Sequence, residues 1–219
     1  MRKKTLAIIL ITVLALGMMA CGDGGAASVI NTGNNENAQA DAGSNDAEEE
    51  FTEIDGRTIQ GPATVDLGNY TVDVPEGWLG IHDLDWESLA NGDDPVKFDM
   101  NYYSLVKGGQ TSQDKTGSSP NVDIWYSDEG VEHLMENLKE ARDEVTELDL
   151  ELEGKECIAV HTVLILEDSE PSEDDMVFIP LSENSCIRII TKVSEQGAPT
   201  GISIEDSDVL AILNSIQVK

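Results

Sequence analysis

Acidic side chains at alternate positions form the first pattern in the sequence with chemical meaning. Asp83, Asp85 and Glu87 are spaced two residues apart, and Asp94 follows seven residues after Glu87. Oxygen ligands at such spacing are how a short loop wraps Ca²⁺. However, Ser88 occupies the sixth position, where such a loop turns on glycine, and Asp94 stands where its bidentate acid belongs. Two interpretations therefore stay open, a calcium site and a solvated acidic turn.

A second acidic cluster is predicted to lie at the tip of a hairpin between two strands. A solvated charged tip is the favoured interpretation, and attraction of a cation is the alternative. The cluster comprises Glu167, Asp168, Glu170, Glu173, Asp174 and Asp175.

The residue types that carry out nucleophilic or metal chemistry are few. Cys157 and Cys186 could form one disulfide in an oxidising compartment, and two buried free thiols are the alternative. His82, His133 and His161 do not have the spacing of a zinc site. The sequence has none of the common Ser, Cys or Lys nucleophile motifs, so we expect a protein that is not an enzyme.

The three tryptophans would form a stacking surface or close the core; they are Trp78, Trp86 and Trp125.

The N-terminus has the features of an export signal. Three basic residues precede an apolar run from Leu6 to Leu16, which is followed by small residues up to Cys21. The run is shorter than the roughly 20 residues that span a bilayer. The segment resembles the lipobox of bacterial lipoproteins. That resemblance implies removal of residues 1–20 and acylation of Cys21, which would hold the protein on the cell membrane, facing outside the cytoplasm.

Residues 21–56 are rich in Gly, Ala, Asn, Asp and Glu, and we expect them to be a disordered tether. The whole chain has a strong excess of acidic residues. Removing residues 1–20 takes three of the 13 basic residues and none of the 43 acidic ones, so the formal net charge changes from −30 to −33. Such a charge repels nucleic acid.

Residues 57–219 have the alternating apolar runs and turns of a single domain. The run 157–166 is apolar on both faces and predicts a central strand with layers above and below it. The predicted strands are 59–65, 70–74, 96–105, 122–126, 148–152, 157–166, 176–181 and 186–193, and the predicted helices are 128–145 and 205–214.

Two segments of this domain resemble the PsbP-like fold. They are the strand with its Pro-x-Gly-Trp continuation, Tyr70-Thr71-Val72-Asp73-Val74-Pro75-Glu76-Gly77-Trp78, and the ending Ile212-Leu213-Asn214-Ser215-Ile216. The resemblance implies an α+β fold: a mainly antiparallel sheet with helices on both faces, which is an α/β/α sandwich.

The anchor and the tether predict a membrane-anchored accessory or binding module, with a protein of the cell envelope as its expected partner and no nucleic acid. One alternative is a calcium-binding module; apart from Ca²⁺, no cofactor is expected. The other alternative is an extracytoplasmic enzyme that uses carboxylates which the sequence cannot distinguish from surface charge.

Overall fold

The computed structural model describes residue 54 and residues 56–116, 119–166, 170–194 and 201–219. The predicted signal segment, Cys21 and the tether up to residue 53 lie outside the described residues. Within those residues, none of the helices combines the length and the hydropathy needed to cross a membrane. The strands are β1 Thr58–Gln60, β2 Ala63–Asp66, β3 Tyr70–Val74, β4 Trp78–Leu84, β5 Phe98–Lys107, β6 Asn121–Ser127, β7 Glu144–Leu148, β8 Ile158–Leu164, β9 Ser172–Ser182, β10 Ser185–Ser194 and β11 Gln217–Val218, and the helices are α1 Trp86–Asn91, α2 Val131–Ala141 and α3 Ser207–Ser215, with a 3-10 helix over Ser112–Thr116.

The strands form two sheets. The larger sheet has eight strands in the order β1-β4-β5-β6-β10-β9-β8-β7, and the smaller has three in the order β11-β3-β2. Neighbouring strands in both sheets are antiparallel.

One face of the eight-stranded sheet packs against the small sheet and α3. Side chains alternate between the two faces along a strand, so Ile187 and Ile189 of β10 share this face. They belong to one buried cluster with Val72 of β3 and Leu213 of α3. Trp78, at the start of β4, lies in the same cluster and is 1% exposed. This cluster is the main hydrophobic core.

The opposite face of the large sheet holds α2. Val131 and Met135 of α2 pack against Val160, Met176 and Phe178, which lie on β8 and β9. The apolar side of this helix therefore faces the sheet.

The predicted α/β/α sandwich, with a helical layer on each face of the sheet, is wrong, because helices do not form the layer over the main core by themselves. The described residues are 47% strand and 20% helix. The main core is closed by a second sheet, because β2, β3 and β11 pair with one another instead of joining the large sheet. Helix α3 lies in that layer, where it contacts β3. The expected antiparallel pairing is confirmed.

Strands β1 and β2 belong to different sheets, although the sequence predicts one strand over 59–65. The chain passes from one sheet to the other at Gly61 and Pro62. A Cβ atom on Gly61 would lie 1.8 Å from the carbonyl oxygen of Pro75, so this close approach of two backbones requires glycine. Pro62 has no N–H to continue a ladder.

Helix α2 is shorter than the predicted 128–145. It begins after Gly130 and ends at Arg142, the C-terminal cap. Val145 lies instead in β7, paired with Thr162 of β8, and still packs against the cluster under α2. The prediction extended the helix too far because Val145, although it lies in a strand, faces the same cluster as the apolar residues of α2.

The predicted strand 157–166 corresponds to β8, which is covered on both faces but is not central. Ala159 packs in the main core and Val160 packs under α2. β8 is the second strand from the β7 edge of the sheet.

The acidic cluster does not form a solvated tip over its whole length. Strand β9 begins at Ser172, so Glu173, Asp174 and Asp175 lie within the sheet. Asp174 and Asp175 are only 6% and 3% exposed, whereas Glu170 is exposed. Residues 167–169 lie outside the described residues. Buried carboxyl groups of this kind need polar partners.

Asp175 connects the sheet to the segment before α3. Its Oδ1 lies 2.8 Å from Nδ1 of His161, and its Oδ2 accepts hydrogen bonds from Oγ of Ser203 (2.9 Å) and from the backbone N–H of Ile204 (3.2 Å). The N-terminal cap of α3 is Asp206, whose side chain accepts a hydrogen bond from the N–H of Asp208.

We expect Asp175→Asn to lower the free energy of unfolding by about 2 kcal/mol, since hydrogen bonds to charged groups contribute about 1.5–3 kcal/mol and the new amide would place an N–H group against donors. The matched control is Glu173→Gln, on the same strand and face but with a side chain 38% exposed, which should change stability by less than about 0.5 kcal/mol. Urea unfolding measures both. Equal effects of the two substitutions would contradict the role of Asp175.

Candidate functional site

The face of the sheet that holds α2 also carries a row of aromatic and cationic side chains. The strand register places Tyr102 of β5, Trp125 of β6, Arg188 of β10 and Phe178 of β9 opposite one another. Residues that pair in this way project from the same face of a sheet. The row therefore extends across four adjacent strands towards α2.

Neighbouring members of this row are in contact. The guanidinium carbon of Arg188 lies 4.8 Å from the centroid of the Trp125 ring, and the rings of Trp125 and Tyr102 are 4.6 Å apart. Nζ of Lys115 lies 4.0 Å from the centroid of the Tyr102 ring. Such cation–π contacts are attractive because the ring face is negative. They hold the Arg188 guanidinium group over the Trp125 ring.

The hydroxyl group of Tyr102 is fixed as a hydrogen-bond donor. It donates to Oδ1 of Asp123 at 2.7 Å, and Ser104 donates to the same oxygen at 2.6 Å. Burial, together with the nearby charge of Asp123, raises the pKa of Tyr102 well above its usual value. The phenol therefore stays protonated at neutral pH and supports the row structurally.

A cleft of about 410 Å³ lies between α2 and the sheet at the end of this row. Its apolar lining comes from the inner side of α2 and from β9 and β10: Leu134, Leu138, Ala141, Met176, Phe178 and Ile190. Two arginines, Arg142 and Arg188, and two other polar residues, Glu129 and Asn137, complete the lining. Volumes of about 300–1,000 Å³ with apolar walls and a few polar groups are typical of small-molecule sites.

The two arginines have different surroundings. Nη2 of Arg142 lies 2.7 Å from Oδ2 of Asp174, and these side chains are 18% and 8% exposed. Nε of Arg188 is buried without a hydrogen-bond partner, and no ion pair of Arg188 is found among the described residues. Arg142 thus joins the end of α2 to β9, whereas the contact that holds Arg188 is its stacking on Trp125.

The four acids of the proposed calcium site have separate roles. Asp85 caps α1, accepting a hydrogen bond from the N–H of Ser88 at 2.7 Å, and Asp83 pairs with Lys115 at 3.2 Å. Glu87 and Asp94 are exposed. In the part of the chain that the structure describes, no three or more His, Cys, Asp or Glu side chains form a group that could hold a metal ion.

Cys157 and Cys186 are free thiols on opposite faces of the sheet. Cys157 packs at the edge of the main core, and Cys186 is buried under α2. The structure therefore does not bring the two sulfur atoms together. Burial raises the pKa of both thiols, which disfavours the nucleophilic thiolate.

His82, His161 and two of the tryptophans do not line the cleft, whereas Nε2 of the exposed His133 lies 3.2 Å from Nδ2 of the lining residue Asn137. His161 interacts with Asp175 on the opposite face of the sheet, and His82 is stacked on Phe98 with ring centroids 5.1 Å apart. Trp78 is in the core, and Trp86 is 80% exposed.

Arg142 and Arg188 are the residues that sequence reasoning missed. A signal was available, because only three arginines occur after residue 20, Arg57 being the third. Their convergence could not be predicted, since it depends on how α2 is placed on the sheet.

Comparison with known proteins adds no family assignment: no protein-family model matches the sequence, and no curated protein matches it either.

We expect Arg142→Met to destabilise the fold and Arg188→Met to be tolerated. Loss of Arg142 leaves Asp174 without this partner in a buried site, and breaking a buried pair in this way costs about 3 kcal/mol or more. Arg188→Met removes a stacking contact worth about 0.5–1 kcal/mol and replaces it with an apolar side chain. Unfolding in urea compares them, and a larger loss for Arg188→Met would contradict the distinction.

Proposed function

We propose that this protein is a membrane-anchored extracytoplasmic lipoprotein whose folded domain is a non-catalytic binding module, and that the cleft between α2 and the sheet is its binding site. Arg188 is the residue that carries this proposal. Its Nε is buried without a hydrogen-bond partner, and a buried donor left unpaired costs free energy. A bound ligand that accepts a hydrogen bond from this Nε–H would recover that cost.

The walls of the cleft support the same function. Leu134 and Leu138 are only partly buried against the cluster under α2, and they line the cleft together with Phe178. A ligand that covered these side chains would remove apolar surface from water, which is worth about 25 cal/mol per Å². The cleft thus combines an apolar surface with one unsatisfied charged donor.

The chemistry of the surrounding groups favours binding over catalysis. The thiol of Cys186 lies under α2, and its pKa is raised by burial. His161, the histidine held by a buried carboxyl group, is on the other face of the sheet. These two groups therefore cannot act together as nucleophile and base.

The proposed anchor is supported by the resemblance of residues 1–21 to a lipobox. Acylation of Cys21 and the tether that follows it would hold the domain at the outer side of the membrane. Two acyl chains, at about 0.8 kcal/mol for each buried CH₂ group, give stable attachment.

We expect cells that produce the full-length protein to incorporate labelled palmitate into it and to retain it in the membrane fraction. Cys21→Ala should abolish both the label and the retention, whereas Cys157→Ala should abolish neither, because Cys157 is a half-buried thiol of the folded domain. Mass spectrometry of the N-terminal peptide gives the modified residue. A secreted form without a lipid on Cys21 would contradict the anchor.

We expect native mass spectrometry of the detergent-solubilised lipoprotein, incubated with an extract of the producing cells, to detect a bound small molecule. Arg188→Met should lose the adduct, because the ligand would have no charged donor. The control is Lys139→Met, which also removes one positive charge but changes an exposed residue of α2. An adduct that survives Arg188→Met, or turnover of the bound compound by the wild type, would overturn the proposal.

A further inference from the structure

We infer that the ligand of this cleft is a small apolar monocarboxylic acid, whose carboxylate binds Arg188 and whose hydrocarbon part lies between α2 and the sheet. This inference rests on the proposed function, because it names the class of ligand for the same cleft.

The charges lining the cleft favour a ligand with no more than one negative charge. Arg142 is already paired with the buried Asp174 at 2.7 Å, so its charge is balanced within the protein. Arg188 has no such partner among the described residues and contributes one positive charge. Glu129 also lines the cleft and would oppose any further negative charge on a ligand. A monoanion is therefore favoured over a dianion such as a phosphate monoester.

The geometry of Arg188 fits a carboxylate. A guanidinium group presents its N–H donors as a planar fork that matches the two oxygens of a carboxylate. The contact with Trp125, with 4.8 Å between the guanidinium carbon and the ring centroid, holds the guanidinium group in place. We therefore assign Trp125 as a positioning residue for the carboxylate-binding group.

The size and lining of the cleft fit the rest of the ligand. A volume of about 410 Å³ holds about 14 groups of the size of water, at about 30 Å³ each. Six of the lining residues have apolar side chains, and one, Asn137, offers a neutral amide. A carboxylic acid with a short alkyl or aryl body would cover the apolar residues and leave its charged end at Arg188.

The test uses four compounds with the same alkyl chain and different head groups: hexanoate, hexanol, hexylamine and hexyl phosphate. Each is titrated calorimetrically into the mature lipoprotein in detergent micelles at pH 8, where hexyl phosphate is a dianion, with protein-free micelles as the blank. Hexanoate is expected to bind at least about tenfold more tightly than the other three, since charged hydrogen bonds are each worth about one to two orders of magnitude in affinity.

Variants then test the residue assignments. Arg188→Met should weaken hexanoate binding about tenfold or more. Arg188→Lys should restore part of that loss, because it keeps the charge and loses the fork. Trp125→Leu should weaken hexanoate binding while leaving the small affinity for hexanol unchanged. Lys139→Met should have no effect.

The outcomes separate the ligand class from the proposed function. Equal hexanoate affinity in the wild type and Arg188→Met overturns the inference, and so does a preference for hexylamine, hexanol or hexyl phosphate. Absence of binding by all four compounds also overturns it. The binding function itself still stands in these cases if native mass spectrometry finds an adduct that depends on Arg188, and it fails with the inference if no such adduct is found.

Discussion

Asp174 and Asp175 are neighbours in β9, so their side chains leave the sheet on opposite faces, and both are buried. Each interacts with the layer that covers its own face. Asp175 accepts hydrogen bonds from Ser203 and Ile204, which lead into α3, and Asp174 pairs with Arg142 at the end of α2. Two adjacent carboxyl groups thus connect both covering layers to a single strand. Because a buried charge without a partner is costly, each layer is held in one position on the sheet.

This arrangement determines which groups of the cleft are available to a ligand. Arg142 is paired with Asp174, whereas Arg188 is held by an aromatic ring and has no ion pair among the described residues. Native sequences usually satisfy local rules of packing and pairing, and departures from those rules concentrate at functional sites. Arg188 is such a departure, and it lies beside the half-buried apolar side of α2. The position of α2, fixed by Asp174, therefore also fixes the width of the cleft.

Sequence reasoning predicts most strands here, because alternating and continuous apolar runs are local signals. It fails where the deciding contact is distant in the chain. Gly61-Pro62 signals an interruption of the strand, but the sequence does not show that β1 and β2 enter different sheets, since the constraint at Gly61 is the backbone of Pro75. Asp174 was expected in a solvated tip because acidic runs usually are solvated, but its partner Arg142 is 32 residues away. The cleft could not be predicted for the same reason: its walls come from α2, β9 and β10.

The acidity of the chain bears on what can enter the cleft. Without residues 1–20 the formal net charge is −33, which opposes the approach of anions. At physiological ionic strength this field is screened over about 8 Å, so a small anion meets it only close to the surface. Each additional negative charge on a ligand increases the repulsion, while Arg188 can balance only one. A hydrocarbon part adds favourable burial that does not depend on charge. The acidic surface therefore selects against polyanions and leaves the apolar monoanion as the anion that the cleft can hold.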